Sequence, residues 1–406
     1  MLNKITKAAA IVAATLMAQQ TMAATPEFAS AVQEMGESAV KGYMQPFATG
    51  LGVGMNSQWA YSSKAQSFLG LPVGASIYIG YPVVLVNKDM KTFSFQGTLP
   101  AASLIEGLGL PAGMSIDSIA SAVSLLTGGA KTYDSLGTLH INVEDVPTIY
   151  GSDKQKKITV ATLLAGSDLL NLVNDYDSLA TALNPGLILA GQTPMTLIAP
   201  GLNDSVALPF RGFDLPIAPT LPPVGINLAF TSIPVLNNIT IGARYVPTLV
   251  NDELGSIGMF GFTLQHEITQ HIPVLGKAPF LHFGVLYGYN SFTLEAKDVV
   301  TIESKNQVGM VTASVDVKFL VGLGLYCGVG YEQSTLTVDV QSQTFAQNSG
   351  PDLVTPAFDV SIDGKNVMRS QVGARFSFAA FDLYTDINFG STTTYNAGLA
   401  IGLNGL

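Results

Sequence analysis

The feature that most constrains this chain is a strict two-residue alternation running through its second half. From Leu281 to Tyr289 one face reads Leu281, Phe283, Val285, Tyr287, Tyr289, and the other His282, Gly284, Leu286, Gly288. From Val321 to Tyr331 one face holds Val321, Leu323, Leu325, Cys327, Val329 and Tyr331, and the other is glycine apart from Tyr326. The stretches 368–378 and 393–404 repeat the pattern, as do 75–83, 224–230 and 239–245. Successive side chains of a strand point to opposite faces, so each run is a strand with one apolar face and one small or polar face.

Such alternation suits a soluble sandwich as well as a membrane barrel, and two details favour the barrel. The apolar faces exceed a soluble strand of about 5–6 residues and approach the roughly 9–11 that a tilted strand needs to cross a bilayer. Aromatics also sit at run ends (Tyr81, Tyr245, Tyr289, Tyr331, Phe389, Tyr395), where an interfacial girdle belongs. Composition agrees: charged residues are 12% of the chain and hydrophobic ones 48%, against about 25% charged in soluble proteins. Beyond the N-terminal region, no apolar run is long enough for a transmembrane helix.

Nine strands are read between 222 and 406: 222–231, 237–247, 254–264, 278–290, 307–318, 321–337, 368–378, 381–389 and 393–404. Five more, 70–84, 90–98, 138–148, 156–163 and 187–199, raise the expectation to about fourteen. The fold class expected is all-β, a transmembrane antiparallel β-barrel with an N-terminal helical plug segment. Helical loop insertions are expected near 101–126 and 164–185 within a barrel domain spanning 67–406.

Residues 1–23 read as a signal peptide. Lys4 and Lys7 precede an apolar core from Ala8 to Ala18, and Thr21-Met22-Ala23 supplies small residues at the cleavage site. The net charge is −10, and more negative without this leader, which argues against nucleic-acid partners. Residues 24–66 lack strand periodicity. Phe28, Ala31, Val32, Met35, Ala39 and Tyr43 recur at helical spacing over 27–44, with Pro46 expected to stop the helix. Gly50, Gly52 and Gly54 are read as turns leading to Trp59, the only tryptophan. This segment is expected to plug the barrel, burying Phe28, Met35, Tyr43 and Trp59 against the glycine-lined wall.

Catalytic and metal motifs are weak. His266 and His271 flank Glu267-Ile268-Thr269-Gln270, but a helical zinc pair needs ligands four apart. Five apart on a strand puts them on opposite faces, and the segment is read instead as a turn or short helix closing a strand, with Pro273 ending it. No Gly-x-Ser-x-Gly occurs. Cys327 is the only cysteine, so no internal disulfide forms. No catalytic residue, metal or cofactor is expected. More telling are polar groups that the alternation sends inward: Arg244, His282, Asp316, Lys318, Tyr326, Glu332, Arg369, Arg375, Asp382 and Asp386. Facing lipid, an Arg or Lys would cost roughly 2–4 kcal/mol at the midplane; in a wet lumen, such groups can pair to hold a plug or select a solute.

Four islands carry a resemblance. Tyr43-Met44-Gln45-Pro46 with Gly52, Asn56, Trp59 and Ala65 forms the first, and Pro147-Thr148-Ile149-Tyr150-Gly151 the second. Arg244-Tyr245-Val246-Pro247 and the run from His266 to Pro273 complete the set. In this order they resemble an uncharacterised family of Gram-negative outer-membrane barrels, a domain of unknown function. The overall plan is also similar to the long-chain fatty acid transporters of the outer membrane, whose N-terminal segment plugs the lumen. The resemblance implies fold and location, and no substrate. The leading expectation is a passive plugged channel for small or apolar compounds. A structural or surface-binding barrel and an outer-membrane hydrolase are the alternatives. Expected partners are outer-membrane lipid, the outer-membrane assembly machinery and a small apolar solute.

Overall fold

The computed structural model describes residues 26–66, 71–100, 138–159, 171, 175, 205–208, 210–232, 237–251, 255–272, 278, 280–296, 300–318, 321–341, 343–345, 353–355 and 358–402. The predicted signal peptide, both predicted helical loops and the predicted strand at 187–199 lie outside these residues, apart from 171 and 175. The first element among the described residues is the helix α1 (Pro26–Met55), followed by β1 (Val73–Leu85). The long connection after β1 carries β2 (Thr92–Pro100), β3 (Thr138–Pro147), β4 (Lys157–Thr159), β5 (Ser205–Ala207) and β6 (Ile217–Ala218). Then come β7 (Val224–Phe230), β8 (Ile239–Asn251), β9 (Gly255–Glu267), β10 (Leu281–Ala296), β11 (Val300–Lys318) and β12 (Gly322–Val340). The chain continues through β13 (Gln343–Phe345), β14 (Leu353–Thr355), β15 (Phe358–Asp363), β16 (Met368–Phe378), β17 (Phe381–Phe389) and β18 (Thr394–Gly402).

Ten strands close into an antiparallel barrel. The ladder runs β1, β7, β8, β9, β10, β11, β12, β16, β17, β18 and returns to β1, where Ile77 faces Ile401 and Gly80 faces Gly398. β6 and β15 extend this sheet beyond the ring at one end, pairing with β1 at Val84–Leu85 and with β12 at 335–340. The barrel therefore has ten strands, where the sequence suggested about fourteen. All nine strands read between 222 and 406, and the run at 70–84, are barrel strands. Those near 90–98 and 138–148 pair only with each other, and 157–159 pairs with 205–207. Alternation cannot tell a lipid-facing strand from one that lays a face on a helix. Here Phe93 and Phe95 of β2 pack round Phe210, beside α1.

The outward face of the ring carries an apolar belt. Ile77, Ile226, Ile241, Phe262, Val285, Val311, Leu325, Val372, Leu383 and Ile401, one from each barrel strand, are all exposed. Tyr81, Tyr245, Phe260, Tyr331, Phe389 and Tyr395 stand exposed toward the long-connection end, and Phe280, Phe378 and Phe381 toward the other. Closure leaves no unpaired edge, and a belt of this kind matches hydrocarbon between two aromatic girdles. The inward faces mix polar residues, with Ser304, Asn306, Thr312, Ser314, Gln371 and Asn396 all buried, with glycines and apolar residues such as Leu286, Met310 and Leu336.

α1 runs on through Pro46 to Met55, eleven residues past its expected end. An interior proline costs a helix about 3 kcal/mol. Burial of the turns beyond it offsets that cost, since Phe47, Ala48, Leu51, Val53 and Met55 are nearly inaccessible. Gly52 accordingly serves close approach rather than a turn: a Cβ there would lie 2.3 Å from the Ser334 Oγ.

Replacing Leu325 by Arg should put a cation into the apolar belt at a cost of about 2–4 kcal/mol. The expected result is loss of the heat-modifiable, compact gel band of a closed barrel, with Leu325→Phe retaining it.

Candidate functional site

The functional candidate is the barrel lumen and the segment inside it. Reading back from Ala65 to Ala48, the chain passes through the ring once. Near the start of β1, the Ala65 N–H donates to Glu267 Oε2 at 3.0 Å. One step further in, the Ser63 N–H donates to Ser314 Oγ (3.1 Å), and Ser63 Oγ donates to Thr312 Oγ1 (2.9 Å). Gln265 donates to the Ser62 carbonyl and Gln371 to the Ala60 carbonyl, at 2.7 and 3.0 Å. Tyr61 stacks on Tyr384 with centroids 4.7 Å apart and shares a hydrogen bond with Ser76. Trp59 packs with Leu286, Val308 and Met310. A Cβ at Gly288 would lie 2.8 Å from its indole nitrogen, so the glycine wall makes room for the ring.

Above Trp59, the C-terminus of α1 ends inside the lumen. A helix leaves its last carbonyls unpaired and carries partial negative charge there, yet α1 has no basic residue in its last turn. The barrel supplies the missing partners. Arg244 Nη1 and Asn290 Nδ2 both donate to the Met55 carbonyl, at 3.1 and 2.8 Å. Arg244 Nε donates to the Tyr78 hydroxyl at 2.8 Å, and its guanidinium carbon lies 3.4 Å from the Trp59 ring centroid. Arg369 Nη1 donates to the Asn56 carbonyl at 2.6 Å and pairs with Glu332 at 3.2 Å. Both arginines are buried, at 1% and 3% exposure.

The other inward residues of the sequence reading separate into pairs. Asp316 and Arg375 form an ion pair at 2.6 Å. Tyr326 donates to Asp386, which also accepts from Asn388 and Asn396. Asp382 accepts from Ser377. His282 Nδ1 meets Glu267 Oε1 at 2.7 Å, joining the histidine to the carboxylate that holds Ala65. Lys318 ends β11, and its side chain, like those of Phe28 and Met35 in α1, lies outside the described residues.

Tyr43 corrects the expected plug packing. It lies against Phe210, with centroids 5.5 Å apart, and donates to the Arg211 carbonyl at 2.9 Å, so it meets the long connection and not the glycine wall. Burial pushes its hydroxyl above the ordinary tyrosine range, which keeps it neutral and donating. Glu267, Gln265, Gln371, Asn290 and Ser314 were missed as site residues. Their signal was available, since each is a polar residue on the inward parity of its strand.

His266 and His271 flank a short turn that closes a strand, as the sequence suggested. β9 ends at Glu267, and the turn Thr269–His271 brings the two rings to 5.6 Å between centroids. Among the described residues no three His, Cys, Asp or Glu side chains gather as a metal site. A cavity of about 40 Å³ beside residues 59–66, lined by Ser76, Asn227, Thr263 and Gln265 among others, has room for a few water molecules.

The family profile for a group of unknown function, DUF6588, matches residues 2–403. The chain belongs to that family. Among curated proteins nothing matches. Solved structures with some likeness include the CymD monoaromatic hydrocarbon channel, at 8% identity over 87% of this chain and 96% of that one, with a TM-score of 0.20. A mutant of Rh. blastica porin shows 7% identity over 81% and 99%, with a TM-score of 0.13. The beta domain of the Bordetella autotransporter BrkA shows 7% over 44% and 92%, with a TM-score of 0.12. With scores this low, the barrel of this DUF6588 member stands on its own strand ladder.

Because Trp59 is the only tryptophan, its fluorescence reports the plug alone. Arg244→Ala removes the stacked cation and one of the two donors to Met55, a loss of about 1–3 kcal/mol. Red-shifted emission and faster quenching by iodide are expected, with Arg244→Lys intermediate.

Proposed function

We propose that this chain is an outer-membrane channel closed at rest by residues 56–66, without enzymatic activity, and passing small solutes when that segment loosens. The observation that carries the reading is what fills the lumen. The space is taken by a separate stretch of chain, held largely through polar contacts with Glu267, Ser314, Gln265, Gln371 and Arg369. Water can replace such contacts when the segment moves, whereas a barrel filled by interlocked side chains of its own wall has nothing to displace. The outer membrane is supported by the closed ladder and the apolar belt around it. The wall carries hydroxyls, amides and ion pairs beside apolar groups such as Leu286, Val308 and Met310, which suits small solutes of mixed polarity.

A surface-binding barrel is the second reading, favoured by the β2–β3 sheet and Phe210 assembled over one end. Conductance in planar bilayers separates the two. The intact chain should be nearly silent. A chain lacking 27–60 should keep its heat-modifiable band and conduct steadily, and Trp59→Ala should flicker, as local opening becomes easier. A folded deletion variant that still fails to conduct would sink the channel and leave the binding reading.

A further inference from the structure

The levels at which the plug touches the wall fix its direction. Ala65 meets Glu267 at the end of the barrel where β1 begins. Tyr61 meets Ser76 near the start of β1, and Gln58 reaches Ala397, whose partner is Tyr81. Met55 meets Arg244 and Asn290, and the Ala48 carbonyl accepts from Ser334 near the far end of β12. Tyr43 and Gly42 lie beyond the ring, against Arg211, Phe210 and Phe93 of the long connection. The order is monotonic: each step toward the N-terminus is a step away from the start of β1. From Gly42 to Pro26 the helix runs on for about 24 Å more, at 1.5 Å per residue.

We infer that the barrel carries its own N-terminal segment through the lumen, so that α1 is displayed on the outer face of the membrane while β1 starts from the inner face. The faces are assigned by connection length. At the end where β1 begins lie the connections 231–238, 268–280, 319–321 and 379–380. At the other end lie the two longest connections, 86–223 and 341–367, beside three short ones, 252–254, 297–299 and 390–393. Outer-membrane barrels keep short turns on the periplasmic side and long connections outside. The apolar side of α1 has partners at that outer end: Val40, Tyr43, Met44, Phe47 and Leu51 are buried where the helix packs on β2, β11, β12 and β15. The displayed helix is therefore a surface feature of the folded protein, tethered from inside the lumen by Arg244 and Arg369.

The inference rests on the outer-membrane reading, and its test separates the two. In full-length protein on live cells, peptide tags are placed immediately before Pro26, between Asp153 and Lys154 in the long connection, and in the turn at 379–380. The first two tags should bind antibody equally well on intact and permeabilised cells, and the third only after permeabilisation. Staining of the 153–154 tag on intact cells with the Pro26 tag silent overturns the display and leaves the membrane reading standing. Tags that respond identically to permeabilisation at all three sites remove the membrane reading, and the inference with it. Since a tag could block assembly, Ser38→Cys in a Cys327→Ser background gives a smaller probe at an exposed position of α1. Its labelling by a membrane-impermeant maleimide should be as complete on intact cells as after permeabilisation. Labelling only after permeabilisation overturns the inference.

Discussion

Everything in this fold depends on closing the backbone ladder. A strand in hydrocarbon has no water to satisfy its amides, so each must pair on both sides, and β1 must meet β18 to finish the ring. Closure creates a second requirement. About eight strands enclose just enough room for their own side chains; ten strands, with glycine on several inward positions, enclose more. The surplus is filled by residues 56–66, which are polar apart from Trp59, Ala60, Tyr61 and Ala65. That composition suits the wall around it, where hydroxyls, amides and ion pairs meet the polar residues and Leu286, Val308 and Met310 meet Trp59.

Bringing a helix end into that space raises a local electrostatic problem. The carbonyls at the end of α1 point into the lumen with no basic residue of the helix to meet them. Arg244, Asn290 and Arg369 answer from three different strands. An inward arginine on a barrel wall and a helix terminus in its lumen each lack partners alone, and together satisfy much of one another's need. The same contacts place the indole of Trp59 under the guanidinium of Arg244 and its edge against Gly288. Plug and wall thus define each other, and movement of the plug has to begin by breaking this cluster or by leaving it as the pivot.

Much of this was legible in the chain. The ten barrel strands, the outward belt and the inward set that includes Arg244, Glu332, Arg369, Arg375 and Asp386 follow from side-chain parity alone. Parity is a property of the backbone, identical in every strand, so it needs no knowledge of neighbours. The surplus strands and the length of α1 were misread for the converse reason. β2 and β3 alternate as barrel strands do, but they pair with each other, and Phe93 and Phe95 of β2 face Phe210 beside α1. Pro46 stops a free helix, but here the lumen repays burial of the turns beyond it.

The sequence by itself therefore determined the class of fold, the face each strand residue takes and the presence of a segment unlike the rest. Tertiary structure alone decided the number of strands in the ring, the partners of the inward charges and the direction of the plug. These are long-range facts: Arg244 meets Met55 across 189 positions of chain, and Arg369 meets Asn56 across 313. No local pattern encodes such a meeting, because it exists only once the ladder has closed around the segment.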